Sequence, residues 1–189
     1  MVLMRPWNRR DLLLSGAAFA ASGCMPKPPL ITASSAMPVV LAGVLSGKQR
    51  KPSALPEGVM RRLARALESR KLVPKSLEMD EVRPTFEQKR GTPQRLEWLA
   101  DKAGEGAVLL VELAAFYDTQ IQGRLRWTVR GTLSLGSAAA PASAVQRTID
   151  TAVFLQFLHQ AEAEAALEAA TTIERAAQRL LDDWLRAQG

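Results

Sequence analysis

With one cysteine, one histidine and one tyrosine in 189 residues, this chain lacks the raw material for most side-chain chemistry. A single Cys excludes a disulfide framework within the chain. One His, His159, and one Cys exclude a His/Cys metal cluster, and a Ser-His-Asp or Cys-His set would have to rest on His159, for which a local hydrogen bond is the expectation. Aromatic residues make up only 5% of the chain, and its longest apolar run, Leu12 to Ala21, falls short of the roughly 20 residues that a membrane-spanning helix needs. Glycines are sparse as well: Gly43 and Gly47 lie near the first strand-like run but match no phosphate-binding fingerprint.

What is present begins at the amino terminus. Asn8-Arg9-Arg10-Asp11-Leu12-Leu13-Leu14 sets paired arginines before the short apolar run, which ends in Ala21-Ser22-Gly23-Cys24. A basic segment, an apolar stretch of about 7–15 residues and small residues at a cleavage point define a secretory signal. Arg9 and Arg10 resemble the pair of the twin-arginine export signal, with Sec export as the alternative. Ala21 to Cys24 resembles the lipobox of bacterial lipoproteins, which implies that Cys24 becomes the lipidated first residue of the mature chain. The alternative for Cys24 is an ordinary buried or free thiol. Two or more acyl chains anchor a protein stably, because each buried CH₂ contributes about 0.8 kcal/mol. Met25, rather than Asp, follows the Cys. By resemblance to lipoprotein sorting this implies the outer membrane at its periplasmic face, ahead of the inner membrane.

Residues 1–23 are therefore read as a signal peptide, 24–37 as the lipidated Cys and a proline-rich flexible tether, and 38–189 as one α/β domain. Val39–Leu45 is a short apolar run, expected as a buried strand, followed by the basic loop Lys48-Gln49-Arg50-Lys51. Pro56 to Leu72 carries Val59, Leu63, Ala66, Leu67 and Arg70 at helical spacing. Leu77, Met79 and Glu81 alternate within Ser76–Thr85, which predicts a second strand, and Phe86–Gly91 reads as loop. Thr92-Pro93 marks a helix start with Thr92 as cap, and Leu96, Leu99, Ala100 and Ala103 form its apolar stripe up to Gly104.

Val108–Leu113 is almost continuously apolar, as a strand covered on both faces requires. After a hairpin connection at Asp118–Gly123, Arg124–Leu135 alternates apolar with polar residues, predicting one buried and one wet face. Gly136–Ser143 reads as a linker and Val145–Val153 as the last strand. From Gln160 the stripe Ala166, Ala170, Ile173, Ala177, Leu180 and Trp184 predicts one long terminal helix. The expected architecture is α/β of the α+β kind: a mixed sheet of about four to five strands packed against three helices, the last one long.

This order of elements, with the second helix closing in Ala103-Gly104-Glu105-Gly106-Ala107 before an apolar strand, resembles a group of envelope domains. The group comprises the amino-terminal domain of TolB, the curli secretion lipoprotein and the lipoprotein activators of penicillin-binding proteins. The resemblance covers most of residues 38–189 and implies the fold and a periplasmic adaptor role without specifying a partner.

Charge points the same way. The formal net charge is +6, and Arg5, Arg9 and Arg10 against Asp11 hold part of that excess, so the exported part is moderately basic. Arg61, Arg62 and Arg65 cluster on the first helix and Arg124, Arg126 and Arg130 line the wet side of the clearest strand, which makes both groups candidate partner-binding surfaces. Export removes the chain from nucleic acid, and no aromatic platform accompanies these cations. Anionic headgroups, acidic envelope polymers or an acidic protein patch fit better, with plain solvation accounting for many of the charges. Glu112 and Asp118 are the one conceivable carboxylate pair, although solvated or loop carboxylates are commoner.

The expected function is thus a non-catalytic, lipid-anchored adaptor or assembly factor for an envelope protein complex, touching the membrane through its lipid and using no metal or cofactor. A carrier or chaperone for lipid or polysaccharide is the alternative, and a sizeable apolar groove between sheet and helices would favour it. The sequence leaves the oligomeric state open.

Overall fold

The computed structural model describes residues 30–47, 52–88, 91–156 and 162–188. Cys24, Arg9, Arg10, the basic loop at 48–51 and His159 lie outside the described residues. The apolar run at 39–45 forms strand β1 (Met37–Ser46), and the run at 108–113 lies within β4 (Ala107–Ile121). The two pair in parallel from Val39↔Ala107 to Ser46↔Ala114. Strand β5 (Arg124–Ser137) turns back antiparallel on β4, and β6 (Val145–Leu155) antiparallel on β5. On its other side β1 meets β3 (Leu72–Ser76) in parallel and the two-residue β2 (Ser53–Ala54) antiparallel. The sheet is mixed, six-stranded and open, with β6 at one edge.

Connection handedness then distributes the helices. Helix α1 (Glu57–Glu68) carries the chain from β1 to β3 in one direction. Helices α2 (Met79–Gln88) and α3 (Thr92–Ala103) carry it back past β1 to β4 in the other. Crossovers between parallel strands are right-handed, so opposite directions require opposite faces of the sheet. The packing agrees. Val59, Leu63 and Leu67 of α1 join the core on the face of Leu41, Leu109 and Val129, whereas Val82 of α2 and Leu96 and Leu99 of α3 pack on Val40, Ala42, Val108 and Leu110. Helices α4 (Glu162–Glu168) and α5 (Ala170–Gln188) lie on the α1 face, where Ile173, Leu180 and Trp184 are buried.

Five expectations change. The strand expected over Ser76–Thr85 is mostly α2, because Met79, Val82 and Phe86 recur at helical spacing against the α3 side of the sheet. The strand lies earlier, at Leu72–Ser76, and includes Pro74, which is tolerated because β3 is an edge strand. Accordingly α1 stops at Glu68, four residues sooner than expected, and Phe86 belongs to α2 rather than to a loop. Gly91, not Thr92, occupies the cap of α3, which frees the Thr92 hydroxyl for a tertiary contact. The terminal helix is broken at Ala169 into α4 and α5, although the predicted stripe from Ala166 to Trp184 is buried along both.

The hairpin is tighter than expected. Strand β4 continues through Ile121, and the turn is Gln122-Gly123, both with positive φ (50° and 79°), as a two-residue turn matching strand twist requires. Trp127 and Trp184 are core residues, while Trp98 is half-buried with the Lys102 ammonium 5.5 Å from its ring centre.

Arg70, on the apolar stripe of α1 in the sequence, is 2% exposed just beyond that helix. It donates to Asp182 Oδ1 from Nη2 (2.9 Å) and Nε (3.0 Å), and to the Ala66 (3.2 Å) and Gln178 (3.3 Å) carbonyls, so one guanidinium joins α1 to α5. Its own carbonyl accepts the N–H of Ala33 (2.9 Å), which holds the chain ahead of β1. Removing one partner of a largely buried ion pair leaves the other without compensation. Arg70→Ala is expected to lower unfolding free energy by about 2–3 kcal/mol, read from urea denaturation, because Asp182 retains some access to water.

Candidate functional site

The site follows from what the helices leave bare. Helices α2 and α3 cover β1 and the first part of β4, and a 3-10 turn at Pro141–Ser143 adjoins α3, but among the described residues no helix lies over the same face along the second half of β4 and the adjoining parts of β5 and β6. Cross-strand register places the side chains there in rows: Ala114, Arg130 and Asp150; Phe116, Thr128 and Ala152; Thr119, Arg126 and Phe154; Ile121 and Arg124. Phe116 is 41%, Ile121 40% and Phe154 46% exposed, which for three large apolar residues on one small surface is a patch rather than scatter.

A β-bulge shapes this end. Tyr117 pairs with Trp127 but Thr119 pairs with Arg126, so Asp118 is the extra residue. Its carboxylate accepts a hydrogen bond from the Thr128 hydroxyl and lies 3.9 Å from Arg126 Nε. Tyr117 stands edge-on to Trp127, ring centres 5.9 Å apart, on the opposite face. Arg130 is neutralised by Asp150 at 2.9 Å. The uncovered face therefore carries its arginines along the central strand β5, with Phe116 and Ile121 on β4 and Phe154 on β6 flanking them, and Asp118 and Asp150 offset Arg126 and Arg130.

The structure brings Arg124, Arg126 and Arg130 together on this face, as expected. It places Arg61, Arg62 and Arg65 elsewhere, on α1 across the sheet. There Arg61 pairs with Glu57 (2.6 Å) and Arg62 with Glu174 of α5 (2.8 Å), so two of the three are held by local carboxylates. The six arginines form two surfaces, and one partner face cannot engage both groups at once. The wet side of β5 is also drier than its alternation predicted: Thr128 is 7% exposed and Ser134 is fully buried toward the α3 end.

Glu112 and Asp118 do not make a carboxylate pair. They lie six residues apart along one strand, roughly 20 Å at strand rise, beyond the separations of about 5–10 Å that acid/base pairs use. Glu112 instead accepts from the Thr92 hydroxyl (2.8 Å) and from the Arg95 guanidinium, fastening the start of α3 to β4. Among the described residues no three His, Cys, Asp or Glu side chains are grouped to hold a metal ion, and no helix is long and apolar enough to cross a membrane. A cleft of about 390 Å³ lies at the other end of the domain, between β1, α1 and the start of α2. Leu55, Met60, Leu77 and Met79 line it, together with Glu57, Arg61 and Glu78.

Sequence reasoning located the arginines of this surface but missed its apolar residues. Phe154 carried a signal, since it falls on the polar side of an otherwise regular alternation in β6. Phe116 had none, because it closes an apolar run that reads as buried throughout.

No protein-family model matches the chain, and no curated protein matches it in sequence. Solved structures with a similar fold include hypothetical protein CT253 from Chlamydia trachomatis, at 12% identity over 79% of this chain and 96% of that one, with a TM-score of 0.45. Others are the PelC dodecamer from Paraburkholderia phytofirmans (12% identity, 80% and 91% covered, TM-score 0.38) and rare lipoprotein B from Shewanella oneidensis (12%, 78% and 96%, 0.35). At such identities and scores, function has to be argued from this chain's own residues.

Because Glu112 serves the fold, Glu112→Ala is expected to cost about 2 kcal/mol of stability. A urea titration checks this, and an unchanged midpoint would remove the fastening role.

Proposed function

We infer that this chain is a lipid-anchored, periplasm-facing envelope protein that works by binding, as an adaptor or assembly factor for an envelope protein complex. The observation that carries the reading is the uncovered sheet face, with exposed Phe116, Ile121 and Phe154 beside Arg124 and Arg126. Exposed apolar side chains flanking a row of arginines suit a protein partner that supplies apolar side chains and carboxylates.

The anchor supports the same reading. Cys24, following an export-like segment with Arg9 and Arg10, would tie the amino-terminal end of the domain to the outer membrane. Strand β1 begins at Met37, level with the start of β4, while Phe116 lies about 30 Å farther along β4. The apolar patch is thus at the end of the sheet remote from the tethered end.

A carrier of lipid or polysaccharide is the second reading, favoured by the cleft of about 390 Å³. That volume is at the low end for small-ligand sites, and its lining mixes Glu57 and Glu78 with Arg61, which suits acyl chains poorly. The adaptor reading is preferred.

The test is crosslinking of the intact lipoprotein in its native envelope, with captured proteins identified by mass spectrometry and Cys24→Ala as the unanchored control. Phe116→Ser with Phe154→Ser, or Arg124→Glu with Arg126→Glu, is expected to reduce recovery of the partner at least about tenfold while the melting temperature stays within about 3 °C. Reversal of Arg61, Arg62 and Arg65 to Glu is expected to leave recovery unchanged. Capture that survives both sheet-face variants would overturn the reading.

A further inference from the structure

The two edges of the sheet are protected differently. At the β1 side the edge is made of β3, five residues with Pro74 among them, and β2, only two residues long. Short strands and proline are standard means of preventing an edge from pairing with another chain. The other edge, β6, runs for eleven residues without proline, lysine or glycine, and its register with β5 is unbroken from Leu125↔Leu155 to Leu135↔Val145. Among the described residues no strand lies beyond it.

The hydrogen-bond phase identifies which groups β6 offers. Ala138 N–H donates to Gly106 O (2.9 Å), one pair beyond Ala107↔Ser137, so even-numbered residues of β5 address β4 and odd-numbered ones address β6. Odd residues of β5 pair with odd residues of β6. The N–H and C=O groups of Gln146, Thr148, Asp150, Ala152 and Phe154 therefore point to the open edge, and all five residues are exposed. Such a row is a template for an extended segment.

We propose that β6 pairs antiparallel with β6 of a second copy of this chain, about a two-fold axis at Ile149. The argument for a second copy is self-complementarity. Opposed residues share a face, so the axis must pass through a residue position. An axis at Ile149 sets Ile149 against Ile149 and Val145 against Val153 on the face beneath α5, with Arg147 against Thr151. On the uncovered face it sets Thr148 against Asp150, where the hydroxyl can donate to the carboxylate, and Gln146 against Ala152. Moving the axis to Asp150 opposes two carboxylates and places Arg147 against Val153. An axis at Thr148 places Arg147 against Ile149, and one at Thr151 places Arg147 against Leu155. Like charges and polar-apolar mismatches directly opposite each other are unfavourable, so Ile149 is preferred among these: it opposes no like charges and keeps Arg147 off an apolar partner, with Gln146 against Ala152 as its one mismatch. The pairing would also join the two uncovered faces into one continuous surface. Arg147 does not obstruct it, because its charge is held by Asp183 of α5 at 2.7 Å.

The experiment is disulfide formation between co-expressed, separately tagged full-length chains carrying Thr148→Cys and Asp150→Cys. Directly opposed hydrogen-bonded residues lie about 5.5 Å apart, within disulfide range. The mixed pair is expected to crosslink at least about tenfold more than Asp150→Cys alone or the unaltered chain. Adding Ala152→Pro to both chains removes an outward N–H without touching the β5 ladder, so it is expected to abolish the crosslink while cooperative melting is retained. Absence of the mixed-pair crosslink, a stronger product from Asp150→Cys alone, or a yield unaffected by Ala152→Pro in folded protein would each overturn the proposal.

Discussion

The parallel pairing of β1 with β4 is the contact on which the rest of the structure depends. Parallel strands need crossover connections, and crossovers in two directions put helices on both faces, so β1 and β4 must be apolar on both sides where they meet. The sequence complies, with Val39–Leu45 and Val108–Leu113 almost free of polar atoms. Strands β5 and β6 are added by hairpin and short connection, which bring to the second face only the single 3-10 turn Pro141–Ser143 beside α3. The covered and uncovered halves of that face are two outcomes of one topology.

The same division explains where polar residues are structural and where they are available. Glu112 lies at the border and is engaged by Thr92 and Arg95 of α3, so its charge is spent holding a helix. A few residues along, Phe116 and Arg126 have no helix above them. Arg70 shows how a charge at a core position can be retained: Asp182 and the carbonyls of Ala66 and Gln178 surround the guanidinium at the junction of α1 and α5. The arginines of α1 and those of β5 look alike in sequence, and local carboxylates hold two of each group, yet the sheet separates the two.

Legibility in the sequence tracked periodicity. Elements with long, regular patterns, α1, α3, β4, β5, β6 and the buried stripe of α5, were readable because a single apolar face repeats over many residues. The region from Leu72 to Gln88 was not. A five-residue strand containing Pro74 and a ten-residue helix containing Pro84 both violate local preferences, and tertiary pairing with β1 and packing on α3 outweigh them.

The residues by themselves determined the α+β class and pointed to the candidate lipid anchor at Cys24 and the arginine-lined strand. These depend on composition and short-range spacing, which are properties of the chain before it folds. Only the tertiary structure decided that Phe116, Ile121 and Phe154 share an uncovered surface, that Glu112 belongs to the fold, and that β6 is an unguarded edge. Exposure and edge position depend on which strands have neighbours and which faces have helices, and those are relations between distant segments that no local pattern encodes.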